Sequence, residues 1–368
     1  MDVLIRGRSA AQSSAQVSAA PRIFRTRLVL AMLAAAFVAT FLLSLLLGSV
    51  MIPIGDLLAI LTGGEPARET WRTIVLNFRL PKAITAVLAG AGLSMSGLIM
   101  QTLFRNPLAD PFILGISSGA SLGVGLVVLI GGSVGTVLLA GIGLVGDAAL
   151  VTAASLGAGS VLMLVLMVSR RLAGVTSLLI LGLMFGYVTS ALVSMMIHFS
   201  AAERIQTYIN WTFGSFGGVT WGQMGLFAGA VIFGGILSML ASKPLNALLL
   251  GEQYARTMGV DVQRARRLLI LSAAVIAGAV TTFCGPIGFI GVAVPHLCRG
   301  LLKSADHRLL LPSCALLGGT LALAADMIAQ FPGSQIVLPL NAITALIGAP
   351  VVIAIILRRR AEREIFLP

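Results

Sequence analysis

Runs of about 20 apolar residues recur along almost the whole chain, and a helix of that length crosses a hydrocarbon layer roughly 30 Å thick. Inside such a layer no water satisfies backbone N–H and C=O groups, so a crossing segment must be a helix or part of a closed barrel. These runs are continuous and lack the polar alternation of barrel strands, which leaves an all-α polytopic membrane protein. Only 10% of the 368 residues are charged and the mean hydropathy is +1.02. An ordinary soluble domain carries about 25% charged residues, so a soluble enzyme is excluded.

Apolar runs bounded by charge, proline or glycine define about ten spans, near 28–50, 80–104, 112–131, 135–168, 177–199, 222–241, 267–284, 287–302, 309–330 and 338–357. The fourth is overlong and glycine-rich. Leu28 to Val50 is too long for the apolar stretch of a signal peptide and has no small-residue cleavage site, so it is a first span. The chain then divides into a flexible cytoplasmic segment 1–27, a transmembrane unit 28–357 and a basic cytoplasmic tail 358–368.

The formal net charge of +12 tests this layout. With the N-terminus inside, only Arg68, Arg72, Arg79, Lys82 and Arg204 of the 25 Lys and Arg residues fall outside. Cytoplasmic segments should hold the excess, and an even number of spans puts both termini in the cytoplasm. The charge is therefore topological, and it argues against a nucleic-acid partner.

Two kinds of extramembrane stretch stand out. On the inner side, Ser242 to Arg267 reads as two short helices parted by Gly251 and Gly259. On the outer side lie Met51 to Phe78 and Ser200 to Thr220, the latter with Tyr208 and Trp211 suited to the headgroup level. A weak internal echo links Gly97, Arg105 and Ala109-Asp110 to Gly291, Arg299 and Ala305-Asp306.

No G-x-x-x-x-G-K-[ST] loop occurs, so any ATP must be bound by another chain. The glycines of 90–97 suit close helix packing better than dinucleotide binding, lacking a strand before them. Cys284, Cys298 and Cys314 read as packing residues, and no metal site is expected. Ionisable groups in the bilayer are costly and hence candidates for function. Asp326 reads as a helix-end hydrogen-bonding group before a substrate contact, and His296 as a packing or interhelical hydrogen-bonding residue. His198 borders the outer mouth and stays open between the two. Met195 and Met196 are flexible and polarizable, fitting either ordinary core or a path for a bulky ligand.

Residues 79–123 resemble the FecCD-type permeases of importers for iron siderophores, haem and cobalamin. The likeness is carried by Gly97, Gln101, Arg105, Asn106, Pro107, Leu108, Ala109, Asp110 and Pro111, then Gly115 and Ser118-Gly119-Ala120. It continues through Leu250-Gly251, Ala255, Met258-Gly259, Gly285 to Gly291, Val294-Pro295-His296, Ala325-Asp326 and Leu346 to Pro350, covering about residues 28–360.

The resemblance implies a type II ABC importer with ten helices per permease. Two permease copies, as a homodimer, enclose a path in a bacterial inner membrane. Two cytoplasmic ATPase subunits carry the ATP and Mg, a periplasmic binding protein docks outside, and this chain binds no cofactor and contacts membrane lipid. It makes 242–267 the ATPase-coupling element, with Leu250, Gly251, Glu252, Ala255, Arg256 and Gly259. Arg68 and Arg72 become docking candidates for the binding protein, with Arg204 a lesser one. Thr176 and Ser177 fall near an inner gate, on a path lined by the fifth and tenth helices.

Pro339-Leu340-Asn341 stands where many relatives have Pro-Val-Gly, and the loop from Phe331 to Val337 lacks a third outer arginine. The expected cargo is a metal chelate, a ferric siderophore or haem before cobalamin. The rival reading is a secondary transporter driven by an ion gradient, which usually needs mid-membrane carboxylates that are missing here. A membrane-embedded enzyme would need a catalytic constellation that three scattered histidines do not make.

Overall fold

The computed structural model describes residues 2–48, 50–130, 147–169, 175–330 and 337–365. All regular structure among them is helical. Seven helices are long and apolar enough to cross a membrane, and three shorter apolar helices (Ile116–Ile130, Ile290–Leu302 and Leu340–Ala354) accompany them. These occupy the places of the ten expected spans.

Helix α1 (Asp2–Leu46) carries the first span at its C-terminal end, Phe24–Leu46. A short α2 (Ile54–Leu61) follows, then α3 (Glu69–Thr73), which runs through a π-helical segment Ile74–Arg79 into α4 (Leu80–Leu103). This rod of 35 residues is about 52 Å long at 1.5 Å per residue, so it projects beyond any bilayer. Its outer part, Glu69 to Phe78, belongs to the extramembrane stretch Met51–Phe78 and is helical. Arg79 in this rod ties it to the first span: its guanidinium donates to Leu45 O at 2.7 Å and Leu46 O at 2.9 Å, the last carbonyls of α1, and to Val50 O beyond them.

The third span is shorter than expected. Asp110 caps a 3-10 turn (Pro111–Leu114), Gly115 turns left-handed at φ 77°, and only then does α5 (Ile116–Gly125) begin, continued by a π segment Leu126–Ile130. Next come α6 (Asp147–Ser169), α7 (Val175–His198), α8 (Ala202–Thr212) and α9 (Trp221–Leu240). Part of the fourth expected span, 135–146, lies outside the described residues.

The elbow is α10 (Ser242–Leu249) and α11 (Glu252–Thr257), separated at Gly251 with φ 119°. The last helices are α12 (Val262–Cys284), α13 (Ile290–Leu302), α14 (His307–Ala329) and α15 (Leu340–Ile365). The eighth span was expected from residue 287, but Gly285 at φ 76° and Phe289 at φ 69° delay the helix to Ile290.

The chain alternates direction, as end-to-end contacts record. At one end Ser200 meets Leu129, Ser215 meets Cys284 and Lys82 meets Asp326. At the other, Arg105 meets Leu248 and Asn246 meets His307. Small residues let the backbones approach, the usual device where lipid supplies no hydrophobic drive between helices. A Cβ on Gly90 would stand 2.2 Å from Gly318 O, and the Ser94 hydroxyl donates to Cys314 O at 2.6 Å across the same α4–α14 seam.

The internal echo has a structural form. Asp110 and Asp306 each accept from the N–H two residues on, Phe112 at 2.9 Å and Arg308 at 3.0 Å. The left-handed turn ending α4 falls at Arg105 and that ending α13 at Lys303, both with φ 48°, so Lys303 rather than Arg299 is the conformational counterpart.

Candidate functional site

The polar loop after α4 gathers most of the motif residues. Arg105 reverses the chain and its Nη2 donates to Leu248 O at 3.4 Å, reaching the elbow. Asn106 Oδ1 accepts from Leu108 N at 3.0 Å, an Asx turn that sets the loop's path. The next carbonyl, Pro107 O, lies 2.7 Å from His296 Nε2, and since a carbonyl only accepts, that nitrogen carries the proton. Asp110 sits outside the spans, and burial pushes its carboxyl up to about 6 against the opposing bond from Phe112 N.

Proline 295 explains how α13 meets α4. Lacking an N–H, Pro295 leaves Gly291 O without its helical partner. Gly97 packs directly on that carbonyl. One residue on, Gln101 Nε2 donates to Val292 O at 3.1 Å while its Oε1 accepts from Arg299 Nη1 at 2.6 Å. Pro111 completes the contact against Gly291. Gln101, Arg105, Asn106, Pro107, Asp110, Pro111, Pro295 and His296 thus form one seam joining α4, its loop and α13.

The elbow attaches to this seam. Asn246 of α10 donates to Asp306 Oδ1 at 2.7 Å and accepts from His307 N at 2.9 Å, with His307 Nδ1 2.7 Å away. The bonds from Arg308 N and Asn246 hold the Asp306 carboxyl below the usual carboxylate range. The six expected coupling residues divide by environment. Leu250 is 64% exposed and Arg256 is exposed, while Ala255 is fully buried and anchors α11 on the bundle. Glu252 pairs with Arg266 Nη2 at 2.7 Å. Gly251 and Gly259, at φ 119° and 81°, hold conformations that side chains rarely adopt.

At the opposite end, α7, α5 and α8 bound a cavity of 610 Å³ lined mainly by Leu122, Leu126, Met195, Met196 and Phe199, with Ser200 and Arg204 at its polar edge. Met195 is 61% exposed into this space, whereas Met196 is buried. His198 is exposed and stands edge-on to Phe199, ring centroids 5.0 Å apart. Ser200 Oγ and Arg204 Nη1 both donate to Leu129 O, at 3.0 and 3.4 Å. Ser177 is exposed near the other end of α7, and the Thr176 side chain lies outside the described residues. So does most of the loop from Phe331 to Val337.

The two loop arginines differ. Arg72 donates to Gly64 O at 2.6 Å and pairs with Glu69 at 3.5 Å, which commits it to its own loop. Arg68 stacks over Trp71 at 5.3 Å. Asp326 is held by Lys82 Nζ at 3.0 Å and Gln330 Nε2 at 2.6 Å. Sequence reasoning missed Lys82 as that partner and missed Asn246, Thr102 and His307 altogether. No group of three His, Cys, Asp or Glu among the described residues could hold a metal ion.

A bundle of apolar crossing helices with an exposed elbow at one end and an apolar mouth at the other has the build of a transporter's membrane subunit. The chain belongs to the FecCD transport family, which it matches over residues 36–358. It is 37% identical over 323 residues to the vitamin B12 import system permease protein BtuC of Klebsiella pneumoniae, covering 88% of this chain and 91% of that one. It is also 37% identical over 306 residues to the hemin transport system permease protein HmuU of Yersinia pestis, covering 81% and 89%. A solved inward-facing structure of a metal-chelate type ABC transporter aligns with a TM-score of 0.78 at 28% identity, over 90% of this chain and 99% of that one. Like those permeases, this chain is a transport component without ATPase activity of its own.

Proposed function

We propose that this chain is the permease of an ABC importer that carries a metal tetrapyrrole, of the haem or cobalamin kind, inward across a bacterial inner membrane. Two copies enclose the path, two ATPase subunits engage the elbow, and a binding protein delivers cargo at the mouth. The observation that carries this reading is the contrast between the two ends. The elbow exposes Leu249, Leu250, Tyr254 and Met258 in a region otherwise rich in arginine, a surface suited to another protein. The mouth offers Leu, Met and Phe walls for a large apolar ring and one arginine for its polar rim. Relatives named for vitamin B12 and for hemin, each 37% identical to this chain, support a tetrapyrrole cargo.

The distribution of lysine and arginine supports a cytoplasmic elbow and cytoplasmic termini. All three native cysteines are buried, so single cysteines placed at Tyr254 or Glu203 can be labelled over a low background. An impermeant maleimide is expected to reach position 203 in intact spheroplasts and position 254 only after permeabilisation.

The function is tested by reconstituting the chain with its partner ATPase and binding protein and offering haemin, cyanocobalamin or a ferric siderophore. ATP-dependent uptake of haemin or cyanocobalamin is expected. Uptake by the isolated chain that needs no ATP and collapses with a proton or sodium uncoupler would establish the rival, gradient-driven mechanism.

A further inference from the structure

The two halves of the elbow are tied to the bundle in different ways. Helix α11 meets it through the Glu252–Arg266 pair and the buried Ala255, while Tyr254 and Met258 are more than half exposed. Helix α10 buries Leu245, Ala247 and Leu248 and is bonded at its centre through Asn246. Both ends of that amide are used. Nδ2 donates to Asp306 at 2.7 Å, and Oδ1 faces His307 N at 2.9 Å and His307 Nδ1 at 2.7 Å. An amide oxygen only accepts, so Nδ1 carries a proton. The far nitrogen of the same ring, Nε2, lies 2.8 Å from the hydroxyl of Thr102 in the last turn of α4. His307 is fully buried and Thr102 nearly so, which leaves no water to replace a broken link.

We infer that Asn246 is the positioning residue that passes movement of the elbow into the spans, pulling on α14 through Asp306 and His307 and, through the His307 ring, on α4. This inference rests on the importer reading above. Leucine contacts can slide, but a two-sided amide bonded to a buried imidazole fixes both the direction and the register of α10 against two helices. Those two helices also meet at the close Gly90–Gly318 seam. A push on the exposed α11 then reaches α14 and α4 through this joint, with Arg105 to Leu248 as a weaker parallel link to the end of α4, while the Glu252–Arg266 pair ties α11 separately to α12.

The test compares ATP hydrolysed with probe imported in proteoliposomes holding the full complex, using haemin and cyanocobalamin. N246D keeps the shape but sets a carboxylate against Asp306. It is expected to leave hydrolysis within about twofold of wild type and to lower uptake at least about tenfold, within the usual range of coupling between sites. D306N keeps an oxygen for both Asn246 Nδ2 and Arg308 N, and is expected to hold the ratio within about twofold. T102V, cutting only the α4 link, should fall between them.

Loss of hydrolysis and uptake in proportion, or loss of neither, overturns the inference. Should N246D fail to assemble, H307Q carries the same expectation, and a wild-type ratio in H307Q is equally decisive against the joint. A wild-type complex that imports neither probe sinks the importer reading together with the inference, whereas import by wild type with an unchanged ratio in the variants sinks the inference alone.

Discussion

A methyl group on Gly97 would stand 1.8 Å from the carbonyl oxygen of Gly291, so α4 and α13 touch backbone to backbone with no side chain between them. That contact depends on Pro295, which withdraws the helical N–H from the same carbonyl. The bundle is held at such points by shape, and shape can be tested.

Gly97→Ala cannot be absorbed by a rotamer change, because the obstacle is backbone. We expect a loss of about 1–3 kcal/mol and a lower thermal midpoint in detergent. Gly229→Ala on α9 is the control: nothing lies within 4 Å of its Cβ position, and replacing glycine inside a helix should stabilise by about 0.5–1 kcal/mol. Equal midpoints for the two variants would contradict the packing argument.

The Lys82–Asp326 pair closes the mouth end of the α4–α14 seam at 3.0 Å. Lys82→Met strands a nearly buried carboxylate and should cost about 3 kcal/mol, while Lys82→Met combined with Asp326→Leu should recover most of that loss. Thermal unfolding of both variants measures the difference. A double variant no better than the single one would mean that the pair matters for something other than its charge balance.

Asp110 gives a pH dependence whose sign can be worked out. Its carboxyl is pushed up to about 6 by burial from an ordinary value of 3.8, so the folded state binds more protons than the unfolded state between those values. Its contribution to stability therefore falls as pH rises from about 4 to about 6 and is level above that. Asp110→Asn keeps an oxygen for Phe112 N and removes the titration. The variant's unfolding midpoint, relative to wild type, should improve across this window as pH rises.

Of the two loop arginines, Arg68 is the one available to a partner, because Arg72 is spent on Gly64 and Glu69. Arg68→Glu should slow association of the binding protein about tenfold at low salt, with the effect fading at high salt. Stopped-flow association rates at two ionic strengths measure it. Arg72→Glu should also loosen the loop, seen as faster proteolysis between Gly64 and Trp71.

Much of this molecule could be read along the chain. Apolar length marked the crossings, and Gly251 and Gly259 marked the elbow's turns. The basic residues gave an alternation that agrees with the contacts at both ends of the bundle. The polar run from Arg105 to Pro111 announced a special loop because such residues are improbable between two spans. The span edges were less legible: the left-handed Phe289 shortens α13, and α3 runs through the π-helical segment Ile74–Arg79 into α4 without a break. Which residues of the elbow point inward was not legible either: Ala255 is buried while its neighbours Tyr254 and Arg256 are exposed.

The sequence by itself determined that the chain crosses a membrane, roughly where, and with which side basic, because transfer into lipid depends on local composition and length. Only tertiary structure decided which faces meet and which side chains join. Lipid tails are as apolar as leucine, so a crossing helix need not display a polar face to distinguish lipid from protein. The decisive bonds also connect distant positions, Asn246 to His307 across 61 residues and Thr102 to His307 across 205, and proximity of that kind exists only after the helices have packed.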